Sequence, residues 1–362
     1  MLKLIHMADL HLDSAFFGLS PQRAAQRRQE QRQVLLRLAD LAREKEADLV
    51  LLAGDLLDNR RIFRETAQSL PEALGAIPCP VFIAPGNHDY YHPTSPYVTL
   101  SWPDNVHIFS SAQMESIPLP KLGCTVHGRA FTAPQQTDSP LAGFRAEGPG
   151  LHVAVIHGDT EGASPHGPIS PEDIAASGLS YLALGHIHKG SGLQKTGNTP
   201  WAYPGCPEGR GFDELGDKGV LYLELDESGC RAEFIPLAKR RYQILPVDVT
   251  GAADPEQAIL LALPGGTEED IYRIILTGER PEQAPDLRQL EQRLAPRFYG
   301  LTLSDQTHPA QRLWARAGED TLTGLFLREM QARCGAQPED EVLSLAVQFG
   351  LAALENGGDV SP

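Results

Sequence analysis

Five short clusters of the sequence contain histidine, aspartate and asparagine, residue types that bind divalent metal ions through imidazole, carboxylate and amide groups. The clusters are Asp9-Leu10-His11, Gly54-Asp55-Leu56-Leu57-Asp58, Asn87-His88-Asp89, His157-Gly158 and Gly185-His186-Ile187-His188. Each follows an apolar run that is typical of a buried strand. Because ligands of open α/β sheets bind at the carboxyl ends of the strands, we expect the clusters to meet at one edge.

These residues predict a centre of two divalent metal ions that hydrolyses a phosphate ester. Such a centre needs a bridging oxygen ligand, further ligands for each ion, and a separation of about 3.5–4 Å between the ions. Asp55 is the predicted bridge. The other predicted ligands divide between the two ions: Asp9, His11 and His188 bind one, and Asn87, His157 and His186 bind the other. This mixture of ligands favours Mn²⁺ over metals that prefer thiolates.

His88 is the predicted catalytic acid, because it lies beside the ligand Asn87 without being assigned as a ligand itself. In this prediction His88 protonates the leaving oxygen, and Asp89 holds the His88 ring in place. A single histidine is more often a packed or solvated side chain than a ligand. However, five of the twelve histidines fall in the clusters, which is more than packing explains. A serine or cysteine nucleophile has no comparable support.

The composition is that of a globular protein without a membrane segment. The 362 residues are enough for one large domain with one or two small ones, and 41% are hydrophobic. The N-terminal run turns polar at Asp9, too early for a signal peptide, and no run approaches the ~18 apolar residues of a membrane span. We therefore expect a cytoplasmic protein. Its five scattered cysteines predict free thiols.

The net charge of −16 is unfavourable for a protein that binds nucleic acid, because such proteins normally have a basic surface. Two groups of arginines offset it locally: Arg23, Arg27, Arg28, Arg32 and Arg37 after the first cluster, and Arg60, Arg61 and Arg64 after the second. A solvated helix face explains either group alone. Their position directly after two metal-binding clusters favours side chains that face phosphate.

The first hundred residues alternate between predicted strands and helices. Strands at 2–8 and 47–53, helices at 21–46 and 60–74, and a third strand before Asn87 predict a parallel sheet with right-handed crossovers. Asp9 and His11 are predicted at the end of the first strand, where residues two apart face the same way. Short strands then follow as far as a hairpin at 220–235. The predicted fold class is α/β, a two-sheet sandwich flanked by helices.

We divide the chain into three parts. Residues 1–243 form the predicted hydrolase domain, residues 244–308 a small α/β domain, and residues 309–362 a helical segment. In the helical segment two apolar faces are predicted, one with Leu322, Leu325, Phe326 and Met330, and one with Val342, Leu345, Ala346, Phe349 and Ala353. A break from Cys334 to Pro338 separates the two helices, so we expect a helical hairpin.

The five clusters resemble the five motifs of the calcineurin-like metallophosphoesterases. Longer matches resemble the SbcD-type DNA repair exonucleases, in particular their YhaO-like branch: Ile5 to Asp13, Ala53 to Asp58, Tyr181 to His188, and Tyr203-Pro204-Gly205-Cys206 followed by Lys218-Gly219-Val220. The resemblance extends to about residue 243 and more loosely into the tail. Two positions depart from it: Asp58, where some members have histidine, and Cys206, where serine is common.

The resemblance implies Mn²⁺-dependent cleavage of DNA from its ends, with endonuclease action on single strands. It also implies that the domain at 244–308 is a cap that binds DNA beside the site. The final helices would dock on the coiled coil of an SbcC-like ATPase, and helices near the second and third motifs would form a homodimer.

Two other functions are compatible with the sequence. A metallophosphodiesterase or phosphatase that acts on a small nucleotide or a phosphoprotein would share all five motifs, but it would not need the cap, the arginines or the tail helices. A non-catalytic scaffold would use a degenerate fold to bind a partner. The seven intact predicted ligands argue against the scaffold.

Overall fold

The structure is a computed structural model that describes residues 1–16, 19–59, 61–162, 164–280, 286–308, 314, 316–334 and 341–355. The chain divides into two compact units, Met1–Arg241 and Tyr242–Pro362. The observed boundary lies two residues before the predicted boundary after residue 243, and the predicted parts 244–308 and 309–362 fall in the same unit. Among the described helices, none is long and apolar enough to cross a membrane.

The first unit is built from twelve strands and four α-helices over the residues described. Its strands are, in chain order, β1 (Leu2–Met7), β2 (Leu49–Leu52), β3 (Val81–Ile83), β4 (Val106–Ile108), β5 (Glu115–Leu119), β6 (Cys124–Gly128), β7 (Leu151–His157), β8 (Tyr181–Gly185), β9 (Gln194–Thr196), β10 (Thr199–Ala202), β11 (Gly219–Asp226) and β12 (Gly229–Pro236). Its helices are α1 (Pro21–Glu44), α2 (Arg64–Gly75), α3 (Pro96–Thr99) and α4 (Pro171–Ala176).

These strands form two sheets that pack face to face. One sheet has the order β12-β11-β1-β2-β3-β4, in which β1 to β4 run parallel, and the other has the order β5-β6-β7-β8-β10-β9. Leu4 and Leu51 of the first sheet share one apolar core with Val153 and Ala183 of the second. Alternating strand residues supply this core, because successive side chains point to opposite faces. The predicted two-sheet sandwich is confirmed.

Helices α1 and α2 cover the outer face of the first sheet. Val34 and Leu38 of α1 and Leu74 of α2 form a second apolar core with Ile5 and Val50 of the sheet. This arrangement is the helix-covered parallel sheet that the alternation of strands and helices predicts.

The starts of the two helices have separate causes. Before α1, Ser20 caps the helix by accepting a hydrogen bond from the backbone N–H of Arg23, and proline follows at the first helical position. α2 begins at Arg64 rather than near residue 60, because the N–H of Phe63 donates to Asp13 Oδ2 at 2.7 Å while Phe63 is still extended. Arg60 lies outside the described residues.

The second unit contains a parallel sheet of three strands in the order β13 (Tyr242–Asp248), β14 (Ile271–Thr277) and β15 (Gly300–Asp305). Helices α5 (Pro255–Ala262) and α6 (Leu287–Leu294) pack on one face. Ile259 and Leu290 of these helices form a core with Tyr272 and Ile274 of the sheet. This is the small α/β unit that the sequence predicts.

Two further helices, α7 (Leu322–Cys334) and α8 (Glu341–Glu355), form the tail of the second unit. They pack together through a core formed by Leu327, Met330, Val347 and Leu351. Of the predicted apolar faces only part is buried: Leu322 and Leu325 are 68% and 57% exposed, and Leu345 and Phe349 are each 49% exposed. Met330 is buried in this core and Phe326 packs against it, so the predicted first face is right at these two positions and wrong at Leu322 and Leu325. The predicted second face is wrong at Leu345 and Phe349, because a helix with apolar residues on several sides can bury a side other than the predicted one. The predicted break at 335–338 lies outside the described residues.

Candidate metal centre

Strained turns hold the first two clusters at the end of the parallel strands. Asp9, His11 and Asp55 have φ of 56°, 48° and 48°, a conformation that residues other than glycine rarely adopt. The prediction that Asp9 and His11 lie on a strand is wrong, since β1 ends at Met7. The two turns run side by side instead, with the N–H of Asp9 donating to the Gly54 carbonyl (3.0 Å) and the N–H of His11 to the Asp55 carbonyl (2.9 Å).

The third cluster approaches Asp55 closely enough to require glycine at position 86. A Cβ on Gly86 would overlap Asp55 Oδ1, so any larger residue would push the two loops apart. The same oxygen accepts a hydrogen bond from the backbone N–H of His88 at 2.9 Å. The loop after β3 is thereby fixed to the loop after β2.

The structure brings six of the seven predicted ligands together. Ligand atoms of Asp9, Asp55 and His157 all lie within 4.8 Å of one another, and so do those of Asp9, His11 and His188. The sixth, Asn87, places Oδ1 2.9 Å from Nε2 of His157. Residues from separate loops therefore converge at one edge of the sandwich.

His186, the seventh predicted ligand, lies beside this group but outside it. Its ring centroid is 5.2 Å from that of His157, and its Nε2 is 3.9 Å from Asp159 Oδ2. Its backbone N–H donates to both carboxylate oxygens of Asp9, at 3.1 Å each. In this structure the backbone of His186 therefore orients Asp9, while its side chain contacts the neighbouring Asp159.

The electrostatics of the group fit divalent cations. Burial, and then the nearby Asp55 carboxylate, raise the pKa of Asp9 well above its usual range. Burial also acts to raise the pKa of Asp55, but His157, His11 and His88 outweigh it and the pKa is lowered. Nε2 of His11 and Nε2 of His188 face each other at 3.2 Å, so two imidazole nitrogens converge on one point. Buried carboxylates and converging imidazoles are a donor set that suits Mn²⁺ or a similar ion.

His88 and Asp89 are neighbours in sequence but are not partners in the structure. The His88 side chain is exposed, and its Nδ1 lies 3.3 Å from the backbone carbonyl of Asp58. The Asp89 carboxylate is buried and accepts hydrogen bonds from the N–H of Gly86 (2.8 Å), the N–H of Leu57 (3.0 Å) and the hydroxyl of Tyr97 (2.5 Å). The prediction that Asp89 holds the His88 ring is therefore wrong, because Asp89 ties the loops after β2 and β3 together.

Several arginines predicted to face phosphate are paired with carboxylates. Arg27 is fully buried and donates to Glu30 (2.6 Å) and to Glu208 (2.7 Å). Arg32 lies 3.5 Å from a carboxylate oxygen of Asp13. The prediction is therefore wrong for Arg27, since the interior needs its charge to balance two buried carboxylates. A separate set remains exposed: Arg23, Arg61 and Arg64.

Sequence reasoning missed Glu214 and Arg210, which lie behind the centre. Glu214 Oε1 is 2.8 Å from Nδ1 of His188, and Nη2 of Arg210 is 2.8 Å from the same oxygen. Burial opposes ionisation of Glu214, but hydrogen bonds with His188 and Arg210 hold its pKa well below its usual range. The available signal was the Arg-x-x-x-Glu spacing that follows the matched Tyr203-Pro204-Gly205-Cys206 segment.

Comparisons with known proteins agree with this geometry. The calcineurin-like phosphoesterase family matches residues 2–190 of the chain. The uncharacterized metallophosphoesterase YhaO of Bacillus subtilis is 34% identical, over 69% of this chain and 64% of that protein. The DNA double-strand break repair protein Mre11 of Methanopyrus kandleri is 25% identical, over 69% of this chain and 60% of that protein.

A third relative, a subunit of the nuclease SbcCD of Bacillus subtilis, is 24% identical, over 59% of this chain and 64% of that protein. The chain thus spans less than two thirds of the length of each of these three relatives. The match to the family covers more than half of the chain and includes all five clusters. The chain therefore belongs to the calcineurin-like phosphoesterase family, whose members are hydrolases with a dimetal site.

Proposed function

We propose that the chain is a nuclease component that hydrolyses DNA phosphodiester bonds in DNA repair, with two divalent ions, Mn²⁺ being the best suited. One observation carries the proposal: six predicted ligands converge at an edge where His88 is exposed. Similarity to a protein named Mre11 and to a component of the nuclease SbcCD supports DNA as the substrate. In this proposal the chain cleaves DNA from its ends and also cuts single strands internally.

In this proposal the side chains of the site have separate roles in metal binding and in proton transfer. Asp9, His11 and His188 would hold one ion, and Asn87, His157 and His186 the other, with Asp55 shared between the two. To do so, His186 would turn its side chain away from Asp159. When bound, the ions supply a nucleophile made from water and neutralise charge on the phosphate. His88 donates a proton to the leaving oxygen; its exposure leaves it accessible to a substrate, and the Asp58 carbonyl at Nδ1 orients its ring.

The tail helices are the proposed contact for a partner, the coiled coil of an SbcC-like ATPase. Leu322 and Leu325 on α7 and Leu345 and Phe349 on α8 expose apolar surface, and exposed apolar surface commonly marks a binding site for another protein. A cytoplasmic location, a homodimer and DNA binding by residues 244–308 stay predictions.

A second candidate function is hydrolysis of a small phosphodiester or phosphomonoester. The internal pairing of Arg27 and Arg32 favours it, because it removes part of the basic surface that a DNA substrate needs. The net charge of −16 favours it as well.

Digestion of an end-labelled linear duplex with Mn²⁺, beside a chromogenic phosphodiester, distinguishes the two functions. The wild type is compared with His88→Ala and with His92→Ala, a half-exposed histidine of the same loop that serves as the control. The nuclease is supported if the wild type and His92→Ala shorten the duplex while the rate for His88→Ala is lower by about 10²–10⁴-fold. Hydrolysis of the small diester without loss of duplex, at excess enzyme, contradicts it and supports the second function.

A further inference from the structure

Two carboxylates contact the predicted metal-binding histidines from behind. Glu214 Oε1 lies 2.8 Å from Nδ1 of His188, and Asp58 Oδ1 lies 3.2 Å from Nδ1 of His11. In both rings Nε2 is the nitrogen that faces the site, since the two Nε2 atoms are 3.2 Å apart. Neither carboxylate is a predicted ligand of a metal ion.

Arg210 contacts both of these carboxylates. Its Nη2 lies 2.8 Å from Glu214 Oε1, and its Nη1 lies 3.6 Å from Asp58 Oδ1. Nδ1 of His11 is buried, and among the described residues no partner meets the geometric criteria for a hydrogen bond to it. The Asp58 carboxylate, at 3.2 Å, is close enough to accept its proton after a small adjustment. Glu214, Arg210 and Asp58 thus form one connected group behind His188 and His11.

The protonated nitrogen of each ring decides whether the ring is able to bind a metal ion. A neutral imidazole carries one N–H, and only its other nitrogen offers a lone pair. At His188, Nδ1 has two neighbours: it donates to Glu214 at 2.8 Å or accepts from Nη2 of Arg210 at 2.9 Å. Only the first arrangement leaves the lone pair of Nε2 free. It also keeps Arg210 paired, because Nη2 donates to Glu214 at 2.8 Å, whereas the second arrangement would place the Nδ1 lone pair against the Glu214 carboxylate.

We propose that Glu214 and Asp58 are positioning residues that hold His188 and His11 in the Nδ1–H tautomer, and that Glu214 outcompetes Arg210 for Nδ1 of His188. The inference rests on the proposed metal centre and adds the groups that set the tautomers of its histidines. Removing the carboxylate behind a metal-bound histidine typically weakens metal binding by about 10–100-fold.

The tautomer of His188 is measurable without metal or substrate. Long-range ¹⁵N–¹H NMR of the metal-free full chain with labelled histidine reports it, and His188→Gln identifies the signals. We expect Nδ1–H in the wild type and in Arg210→Ala, and Nε2–H in Glu214→Ala, where Arg210 then donates to Nδ1. Nε2–H in the wild type, or Nδ1–H persisting in Glu214→Ala, would overturn the inference.

Calorimetric titration with Mn²⁺ tests the consequence for binding. We expect Glu214→Ala and, independently, Asp58→Asn to weaken binding about 10–100-fold. Asp213→Asn, which removes an exposed carboxylate beside Glu214, is the control for charge and should stay close to the wild type. Wild-type affinity in Glu214→Ala, or an equal loss in Asp213→Asn, contradicts the inference. Neither measurement uses DNA. If both give the expected results but the protein does not cut DNA, the proposed nuclease function is wrong while this inference stands.

Discussion

The hydroxyl of Tyr97 donates a hydrogen bond to Asp89 Oδ2, with 2.5 Å between the two oxygens. Both side chains are buried, and the carboxylate also accepts the N–H groups of Leu57 and Gly86. The loops after β2 and β3 are therefore joined through one carboxylate that does not contact the predicted catalytic acid.

Tyr97→Phe should lower the free energy of unfolding by about 1–3 kcal/mol, because it removes one donor from a buried, charged acceptor. Urea unfolding of the metal-free protein measures the change. Tyr91→Phe, at a half-exposed tyrosine nearby, is the matched control. If Tyr97→Phe were as stable as the wild type but less active, Tyr97 and Asp89 would serve catalysis rather than hold the two loops together.

Arg27→Ala should lower the free energy of unfolding by about 3–5 kcal/mol, because it leaves Glu30 and Glu208 buried with fewer partners. The same titration with urea measures it, and Arg23→Ala, exposed on the same helix, is the control. If Arg27→Ala were as stable as the wild type but bound DNA more weakly, the phosphate-facing role predicted from the sequence would be restored.

His127 should make the protein less stable in mild acid. Burial, followed by the adjacent His152, lowers the pKa of His127 to about 4 from the ordinary value of 6.5. Between these values the unfolded chain binds more protons than the folded one, so the free energy of unfolding falls as pH falls from 6.5 towards 4.

The free energy of unfolding is measured against pH in the wild type and in His127→Gln. The difference isolates His127 and its contact with His152, because buried histidines that do not contact His127 are the same in both proteins. The wild type should lose more stability than the variant between pH 6.5 and 4. If the free energies of unfolding of the two proteins changed in parallel with pH, folding would not lower the pKa of His127 and the prediction would be wrong.

Mn²⁺ should stabilise the folded chain, since the ligands converge only when it is folded. At a hundredfold excess over the dissociation constant, each ion adds about 2.7 kcal/mol to the free energy of unfolding. Asp55→Asn, which removes charge from the proposed bridge, should reduce this gain, and a chelator should abolish it in both proteins. An equal Mn²⁺ effect in the wild type and Asp55→Asn would contradict Asp55 as the bridge.

The convergence of the clusters was predictable because it depends on local pattern. An apolar run ends at Ile156 before His157, and another ends at Leu184 before His186 and His188. Parallel strands place such run ends at one edge of a sheet whatever the details of packing. The local path was not predictable at Asp9 and His11, because positive φ values there arise from pairing with the loop after β2 rather than from their own residue types.

By itself the sequence determined the family, the two-sheet sandwich, and six of the seven predicted ligands that converge, since these follow from residue types and their spacing along the chain. Only the tertiary structure decided which charges are partners. Arg27 and Glu208 are 181 positions apart, and Glu214 lies 26 positions from His188. A charged residue has the same identity in the interior and at the surface, so its role depends on which chain segment packs against it.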